Sequence, residues 1–318
     1  MPGRTRSAGR AARFSVWRSS RSGRVEWPTV GVAVGVYGGA AAVTLGHRHL
    51  PWPLAVVLLG VLAAWQTSLQ HEIIHGHPFR IRTANHALAW LPLTLWLPYG
   101  EYRDSHLRHH RVDELGDPEA DPESFYVTPA RWAAAGPAQR CWLRANRTLL
   151  GRMVLGPLVT TPAYWWSALL ACRHDARRRR SLVSHLVGLV VVVAWIVAVC
   201  RMPLWLYVLG AFYVGRSLSH VRSFAEHRSV DGAATRSAMV RAGRAWSLLF
   251  LNNNLHDTHH ARPGAPWYRL PQLAGSLNSD ARAAEGAGWY PGYIDVFRRY
   301  ALRSFDRPVY AAADRTAV

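Results

Sequence analysis

Long uncharged runs separated by polar segments set the pattern of this chain. Four such runs cover residues 29–46, 53–69, 182–200 and 203–218. Each holds roughly 16 to 19 residues, close to the roughly 20 that a helix needs to cross the hydrocarbon core of a bilayer. A soluble helical enzyme would show apolar stripes on one face of each helix instead of unbroken apolar runs. The pattern therefore predicts four transmembrane helices.

Two further apolar stretches, residues 84–99 and 150–172, are weaker candidates. The first is short and contains Pro98, and the second contains Pro157 and Pro162. Because proline interrupts the hydrogen-bond ladder of a helix, we expect both stretches to be broken into re-entrant or in-plane helices. The predicted fold class is an all-α integral membrane protein with about four transmembrane helices.

Histidine is concentrated in the polar segments between these runs. Nine of the sixteen histidines fall in three clusters at residues 71–77, 106–110 and 256–260, and His227 stands alone between the last two. Residues three and four apart share a helix face, so each His-x-x-His-His run could aim three ring nitrogens at one point. If His77 is set aside as a neighbour of the ligands, eight clustered histidines and His227 remain. Since one ion is satisfied by roughly three or four protein ligands, this number suits two metal ions.

Arginine placement predicts which side of the membrane holds the clusters. Seven arginines lie in residues 1–24 and five in residues 173–180. Cytoplasmic segments carry an excess of basic residues, so both segments are expected inside the cell. With four crossings, every histidine cluster then lies on the cytoplasmic face and forms a cap there. Much of the basic charge lies in juxtamembrane segments, where anionic head groups attract it, so we expect a lipid bilayer as partner and no nucleic acid.

The chain divides into three predicted parts. Residues 1–26 form a basic, disordered cytoplasmic tail, residues 27–306 a single membrane domain, and residues 307–318 a C-terminal tail. Apolar residues at helical spacing predict an interfacial amphipathic helix over residues 294–305, near the end of the domain.

Two functions other than oxidation fit part of this pattern. His71-Glu-Ile-Ile-His75 matches the H-E-x-x-H motif of zinc proteases, some of which lie in membranes, but that motif leaves the two His-x-x-His-His runs unexplained. A metal transporter or sensor would place histidines along a path through the membrane, whereas these gather at one face.

The order of the boxes resembles that of the membrane fatty acid desaturase and hydroxylase superfamily. The boxes are His-x-x-x-His, His-x-x-His-His, a lone histidine and Asn-Asn-Leu-His-x-x-His-His, and the resemblance extends over roughly residues 30–275. It implies a centre of two iron ions that uses dioxygen as co-substrate to desaturate or hydroxylate an unactivated carbon of a fatty acyl or lipid-like substrate. The iron ligands that it implies are His71, His75, His106, His109, His110, His227, His256, His259 and His260.

The sequences around the first two boxes, residues 71–78 and 98–106, are most similar to a bacterial subgroup of this superfamily. That subgroup includes rhizobitoxine-type desaturases and rhizopine-type oxygenases. It implies an alternative substrate, a small amino-acid-derived or other specialised metabolite. The expected location is the bacterial inner membrane in either case.

Several polar residues near the boxes could orient the ligands. A metal-bound histidine usually donates its other ring N–H to a carboxylate, carbonyl or water. The alternative is that these residues are ordinary solvated groups. The acidic segment 113–123 likewise has two interpretations, a solvated loop or an electrostatic element at the catalytic face. The candidates are Glu72, His77, Asp104, His220, Glu226, Asn253, Asn254 and Asp257.

Electrons must come from outside the chain. The three cysteines, Cys141, Cys172 and Cys200, have no iron–sulfur spacing, and the sequence carries neither a cytochrome-type haem motif nor a G-x-G-x-x-G fingerprint. A separate ferredoxin or rubredoxin with its reductase is therefore the expected electron donor.

Overall fold

The structure is a computed structural model that describes residues 25–230, 233 and 235–310, so most of both predicted tails lies outside it. Helices dominate the described chain, and its strands are limited to one short parallel pair. In chain order the helices are α1 Trp27–Leu45, α2 Trp52–Ile74, α3 Arg82–Ala89, α4 Tyr99–His109, α5 Pro129–Ala134, α6 Pro137–Ala145, α7 Leu149–Ala171, α8 Ala176–Ala194, α9 Leu204–Tyr207, α10 Gly215–Phe224, α11 Arg244–Leu249, α12 His256–Ala261, α13 Leu270–Ser276, α14 Ser279–Ala284 and α15 Tyr293–Tyr300.

Three of these helices are long and apolar enough to cross a membrane. They are α1, α2 and α8, which a π-helical turn, Trp195–Val199, extends. The fourth predicted run is also helical, because a π-helical segment, Val208–Val214, joins α9 to α10. The helix that contains this run covers residues 204–224 and becomes polar from Arg216 onward. It is therefore less apolar than the other three helices. Three of the four runs therefore have the length and composition of spans, and the number of crossings stays a prediction.

The expectation that prolines break residues 150–172 is wrong. Helix α7 is continuous through Pro157 and Pro162. A proline at position i cannot bond the carbonyl at i−4, so Pro157 leaves the carbonyl of Met153 free. The hydroxyl of Ser217, on neighbouring α10, donates to this carbonyl at 2.7 Å. A partner from another helix thus compensates for the missing bond.

The stretch 84–99 is interrupted, by contrast. Helix α3 ends at Ala89, and α4 begins at Tyr99, directly after Pro98. Between them Leu95 has a φ of 63°, in the left-handed region that helices avoid.

Close packing of α2 against the helix formed by residues 204–224 is central to the domain. A Cβ atom on Gly210 would lie 2.8 Å from the Cβ of Leu59 and 2.9 Å from the carbonyl oxygen of Val56. Only glycine allows the two backbones to approach this closely. The packed pair continues toward the end of α2, where the first histidine box begins at His71.

A second apolar core lies beyond the helix ends and includes the residues near the C-terminus. Strands β1 Met239–Val240 and β2 Trp289–Tyr290 pair in parallel within it. The predicted helix 294–305 ends at Tyr300, and its expected apolar face is divided: Phe305 is buried, while Ile294 is 67% exposed. The described residues that follow, 307–310, lie against the segment before α5, because the Tyr310 amide donates to the carbonyl of Val127.

Candidate metal centre

The ends of four helices bring the histidine boxes together. His71 lies in the last turn of α2, and His75 follows that helix directly. The second box occupies the end of α4, and the third forms most of the short helix α12. His227 follows the end of α10 by three residues. All nine histidines expected to be ligands meet in this one region.

Five of the nine form one group, the five-histidine group. One ring nitrogen of each lies within 4.8 Å of the others. His106 Nε2 is 3.1 Å from His75 Nε2 and 3.0 Å from His110 Nε2. His110 Nε2 is in turn 3.0 Å from His259 Nε2. The members are His71, His75, His106, His110 and His259.

The other four form a second group, the four-histidine group, again with ring nitrogens within 4.8 Å of one another. His227 Nε2 lies 3.0 Å from His109 Nε2 and 2.9 Å from His256 Nε2. His260 Nε2 lies 3.3 Å from His109 Nε2 and 3.2 Å from His256 Nε2. The groups are adjacent, because the rings of His110 and His260 stack with centroids 4.4 Å apart.

The expectation that each His-x-x-His-His run aims three nitrogens at one point is wrong. In the second box His106 and His110 belong to the five-histidine group and His109 to the other; in the third box His256 and His260 share a group and His259 does not. With 3.6 residues per turn, positions i+3 and i+4 point to opposite sides of position i and diverge by about 100°. The i and i+4 rings therefore bind on one side, and the i+3 ring reaches the neighbouring group.

The donor sets fit two metal ions. Two nitrogens bound about 2.1 Å from one ion at right angles lie about 3 Å apart, and the shortest Nε2–Nε2 distances in the two groups run from 2.9 to 3.3 Å. The Nε2 atom of His71 is buried and has no hydrogen-bond partner, which is the condition of a nitrogen directed at a metal. All nine donors are imidazole nitrogens, which suit iron, zinc and copper.

Two acidic residues that were not singled out from the sequence hold the second box. His109 Nδ1 lies 2.8 Å from Asp121 Oδ1, and His106 Nδ1 lies 3.2 Å from both carboxylate oxygens of Glu123. Asp121 also accepts backbone N–H groups from Gly116 and Glu123. Part of the acidic segment 113–123 therefore folds back onto the histidines. The signal in the sequence is its position directly after the second box.

Neutral and acidic partners also hold the Nδ1 atoms of the four-histidine group. The side-chain oxygen of Asn253 lies 3.1 Å from His256 Nδ1, and the amide of Asn253 donates to Glu226. His227 Nδ1 lies 3.3 Å from the hydroxyl of Ser237, another residue missed from the sequence. Of the expected orienting residues, Asn253 contacts a histidine of the centre through a hydrogen bond, and Glu226 lies 3.7 Å from His256 Nδ1.

Two other expected orienting residues form a third cluster. His77 Nδ1 lies 2.8 Å from Glu26, and its Nε2 lies 3.8 Å from Glu72. Glu72 also accepts the backbone N–H of Trp267 at 2.9 Å. These contacts join the start of α1 to the end of α2 and to the segment after the third box.

The remaining expected orienting residues have partners or positions elsewhere. Asp104 pairs with Arg103 and Arg177, and Asp257 pairs with Arg282. The Asn254 amide donates to the carbonyl of Val240. His220 faces Gly156 of α7 and belongs to neither histidine group.

Burial keeps most of the histidine rings outside the membrane spans in the neutral form, which can bind a metal. It lowers the pKa of His110, His256, His259 and His260 well below the ordinary histidine value, and that of His227 to about 3. These rings are therefore neutral near pH 7, and the neutral ring is the form that binds metal.

His109 differs because of its carboxylate neighbours. Burial opposes its protonation, but the hydrogen bond that its ring donates to Asp121 and the charges of nearby carboxylates raise its pKa. Burial likewise opposes the ionised form of Glu123, but the neighbouring His106 lowers its pKa to about 2. The carboxylate is therefore charged and accepts the ring N–H.

A cavity of about 1260 Å³ adjoins both groups. His75 and His227 line it, one from each group, together with Glu123. A molecule in this space could place one of its carbons beside both candidate metal positions.

The model of the fatty acid desaturase family matches residues 48–290, which is most of the chain and includes all three boxes. The chain belongs to the fatty acid desaturase family. This assigns it to the oxidoreductases and agrees with the apolar helices and histidine boxes.

A relative of this family member is the dihydrorhizobitoxine desaturase of Bradyrhizobium elkanii. The two are 26% identical over 265 residues, and the match covers 74% of this chain and 70% of the relative. The relative confirms the resemblance of the first two boxes to the bacterial subgroup that includes rhizobitoxine-type desaturases.

Proposed function

We propose that this protein is a di-iron oxidoreductase that uses dioxygen to desaturate or hydroxylate an unactivated carbon of its substrate. The observation that carries the proposal is the convergence of nine imidazoles into two adjacent groups beside one cavity. Iron bound by these groups would supply the activation of dioxygen. Family membership supports iron over the other metals that imidazole accepts.

The residues of the chain have separate roles in this proposal. The nine histidines hold the metal ions, and Asp121 and Glu123 fix the orientation of His109 and His106. The cavity positions the substrate and limits the water that reaches the reacting carbon. The choice between desaturation and hydroxylation then depends on where the cavity places the second hydrogen.

Contacts near the ends of three helices support a cytoplasmic position for the centre. The Glu26 amide, at the start of α1, donates to the carbonyl of Pro78, directly after the first box. The basic residues 1–24 precede this point. Arg178, at the start of α8, pairs with Glu101 of α4 at 2.8 Å. The start of α1, which follows residues 1–24 in the chain, and the arginine-rich start of α8 thus adjoin the histidine side. This is the cytoplasmic side if the positive-inside rule holds in a bacterial inner membrane.

The substrate has two candidate classes. A fatty acyl or lipid-like molecule fits the family, whereas the relative named for dihydrorhizobitoxine supports a small specialised metabolite. Charged side chains line much of the cavity, and two of them, Arg152 and Arg216, form no ion pair within the described residues. A long alkyl chain would leave these two groups without a counter-charge, so the small polar metabolite is the class that we favour.

The position of Glu72 disfavours a zinc protease. In an H-E-x-x-H protease the glutamate activates water at the metal. Here Glu72 accepts the N–H of Trp267 and groups with Glu26 and His77, separately from His71 and His75. A transport path is disfavoured because the nine histidines gather in one place.

Electrons are proposed to come from a separate ferredoxin or rubredoxin with its reductase. Cys141, Cys172 and Cys200 are free and differ in exposure from buried to exposed, so they do not form an iron–sulfur site. Arg108 and Arg111 are exposed beside the second box. They offer a positive surface to an acidic donor protein.

Turnover by the purified protein tests the proposal. The protein in nanodiscs receives ferrous iron, reduced ferredoxin with its reductase, and either bacterial lipids or a polar metabolite extract. We expect oxygen consumption coupled to loss of hydrogen from, or addition of oxygen to, one compound. His109→Ala and His259→Ala abolish it, whereas His174→Ala, at an exposed position, retains it. Full activity with zinc, or turnover by either box variant, would contradict the proposal.

A further inference from the structure

Two arginines are buried in the wall of the cavity without an acidic partner. Arg152 on α7 is 1% exposed and Arg216 on α10 is 8% exposed. Both line the same cavity as the histidines, together with His220. A buried cation is costly unless an anion compensates its charge.

Neutral groups hold Arg152 in place. Its Nε donates to the carbonyl of Asn146 at 3.0 Å, and its Nη1 donates to that of Ser223 at 3.3 Å. The guanidinium carbon lies 3.9 Å from the centre of the Phe125 ring. Its Nη2 is buried and has no hydrogen-bond partner. The Arg152 side chain is therefore fixed, and its Nη2 nitrogen remains without a hydrogen-bond partner.

Arg216 shows the same arrangement. Its Nη2 donates to the hydroxyl of Thr160 at 2.6 Å, and its guanidinium carbon lies 3.4 Å from the centre of the Trp96 ring. Its Nε is buried and unpartnered. Trp96 also lines the cavity, so the stacked guanidinium is held at the cavity wall.

The carboxylates that act electrostatically on Arg152 are bound by other arginines. Asp306 pairs with Arg147, and Glu226 pairs with Arg222 at 2.6 Å. Within the part of the chain that the structure describes, Arg152 and Arg216 form no ion pair. The cavity wall thus contains two buried guanidinium groups that no carboxylate of the described residues pairs with.

His220 adds a third unused nitrogen. It is 5% exposed, and its Nε2 has no partner. A Cβ atom on Gly156 would lie 2.9 Å from this nitrogen, so a larger residue at position 156 would clash with the His220 ring. Arg152 and Arg216 both act on His220 electrostatically, which places the three side chains in one neighbourhood.

We propose that Arg152, Arg216 and His220 form a carboxylate-binding subsite that anchors the substrate in the cavity. The inference deepens and rests on the proposed function, because the anchored molecule is the one whose carbon is oxidised. Each guanidinium has one buried nitrogen without a partner to donate to a carboxylate, and the aromatic ring beside it keeps that nitrogen in position. The substrate class is a small free carboxylic acid. A fatty acyl ester or thioester has no free carboxylate to occupy the subsite.

Calorimetric titration of the metal-loaded protein in nanodiscs of neutral lipid tests this subsite without turnover. The probes are hexanoate, 1-hexanol and hexyl phosphate, which share an alkyl chain and differ in the head group. Wild-type protein should bind hexanoate at least about tenfold more tightly than 1-hexanol, because charged hydrogen bonds are the stronger ones. Arg152→Met and Arg216→Met should each weaken hexanoate binding by a similar factor. Arg103→Met is the matched control, since Arg103 lines the cavity but pairs with Asp104.

The outcomes separate the alternatives. Equal binding of hexanoate and 1-hexanol by wild-type protein overturns the subsite, even if an arginine variant fails to fold. Unchanged hexanoate affinity in folded Arg152→Met and Arg216→Met variants overturns it too. That result is expected if the hexanoate carboxylate binds the metal ions and not the two arginines. Tighter binding of hexyl phosphate than of hexanoate overturns the carboxylate class. Selective hexanoate binding by a protein that holds no iron would contradict the proposed function and leave the subsite standing.

Discussion

His109 Nδ1 lies 2.8 Å from Asp121 Oδ1, and both side chains are 1% exposed. The contact joins the second histidine box to the acidic segment that follows it. A carboxylate at Nδ1 fixes the ring tautomer, so that the Nε2 lone pair points into the four-histidine group.

Replacing this carboxylate should weaken metal binding. Asp121→Asn removes the charge that orients His109, and losses of about 10- to 100-fold in metal affinity are typical of such changes. Equilibrium dialysis against ferrous iron measures the effect. Glu119→Gln is the control, because Glu119 is an exposed residue of the same segment. Equal iron affinity in Asp121→Asn and wild-type protein would show that the contact does not support the centre.

Neighbouring residues of the third box should affect different metal ions. His256→Ala leaves three histidines in the four-histidine group, whereas His259→Ala leaves four in the five-histidine group. Since roughly four protein ligands close the shell of an ion and three leave it open, His256→Ala should lower the bound metal more than His259→Ala does. Metal analysis of the two variants decides. Equal losses would mean that the box serves one ion only.

Acidification should destabilise the metal-free protein. Burial lowers the pKa of His227 to about 3, whereas an unfolded histidine titrates near about 6.5. Between these values the unfolded chain binds the proton and the folded chain does not. The stabilisation is therefore complete above about pH 6.5 and is lost as the pH falls toward about 3.

Chemical unfolding of metal-free protein at pH 7.5 and pH 5.5 measures this dependence. The free energy of unfolding should be lower at pH 5.5, and the difference should be smaller in His227→Gln. His109 acts in the opposite direction, because its pKa is raised, but the other buried histidines outnumber it. A stability that rises on acidification would refute the burial of neutral rings.

Two glycine substitutions should differ in sign. Gly210→Ala places a Cβ 2.8 Å from Leu59 and should destabilise the packing of α2 by about 1 to 3 kcal/mol, the cost of overpacking. A Cβ on Gly38, in α1, meets nothing within 4 Å, so Gly38→Ala should stabilise that helix by about 0.5 to 1 kcal/mol. Thermal unfolding followed by circular dichroism compares them. A neutral Gly210→Ala would show that the helices are not in close contact.

The nine histidines that the sequence predicts as ligands come together in the structure, and their spacing within each box is a local property of the helix. Helical periodicity alone places His106 and His110 on one side, and the same rule applied with the full 100° per residue would also have separated His109. Asp121 and Glu123 could not be identified individually, since their contacts depend on how the loop after the second box folds back. Local composition also suggested a break in α7, where Ser217 of another helix supplies the missing partner. Long-range contacts of this kind are not encoded in periodicity.

The most direct test of the account is Mössbauer spectroscopy of protein purified with ⁵⁷Fe, together with metal analysis. Nine imidazoles in two groups predict about two iron ions per chain, each with a nitrogen-rich coordination shell, and His174→Ala should retain both. The iron signal should diminish in His256→Ala. A single stoichiometric zinc ion in fully active protein, with no specifically bound iron, would contradict the account.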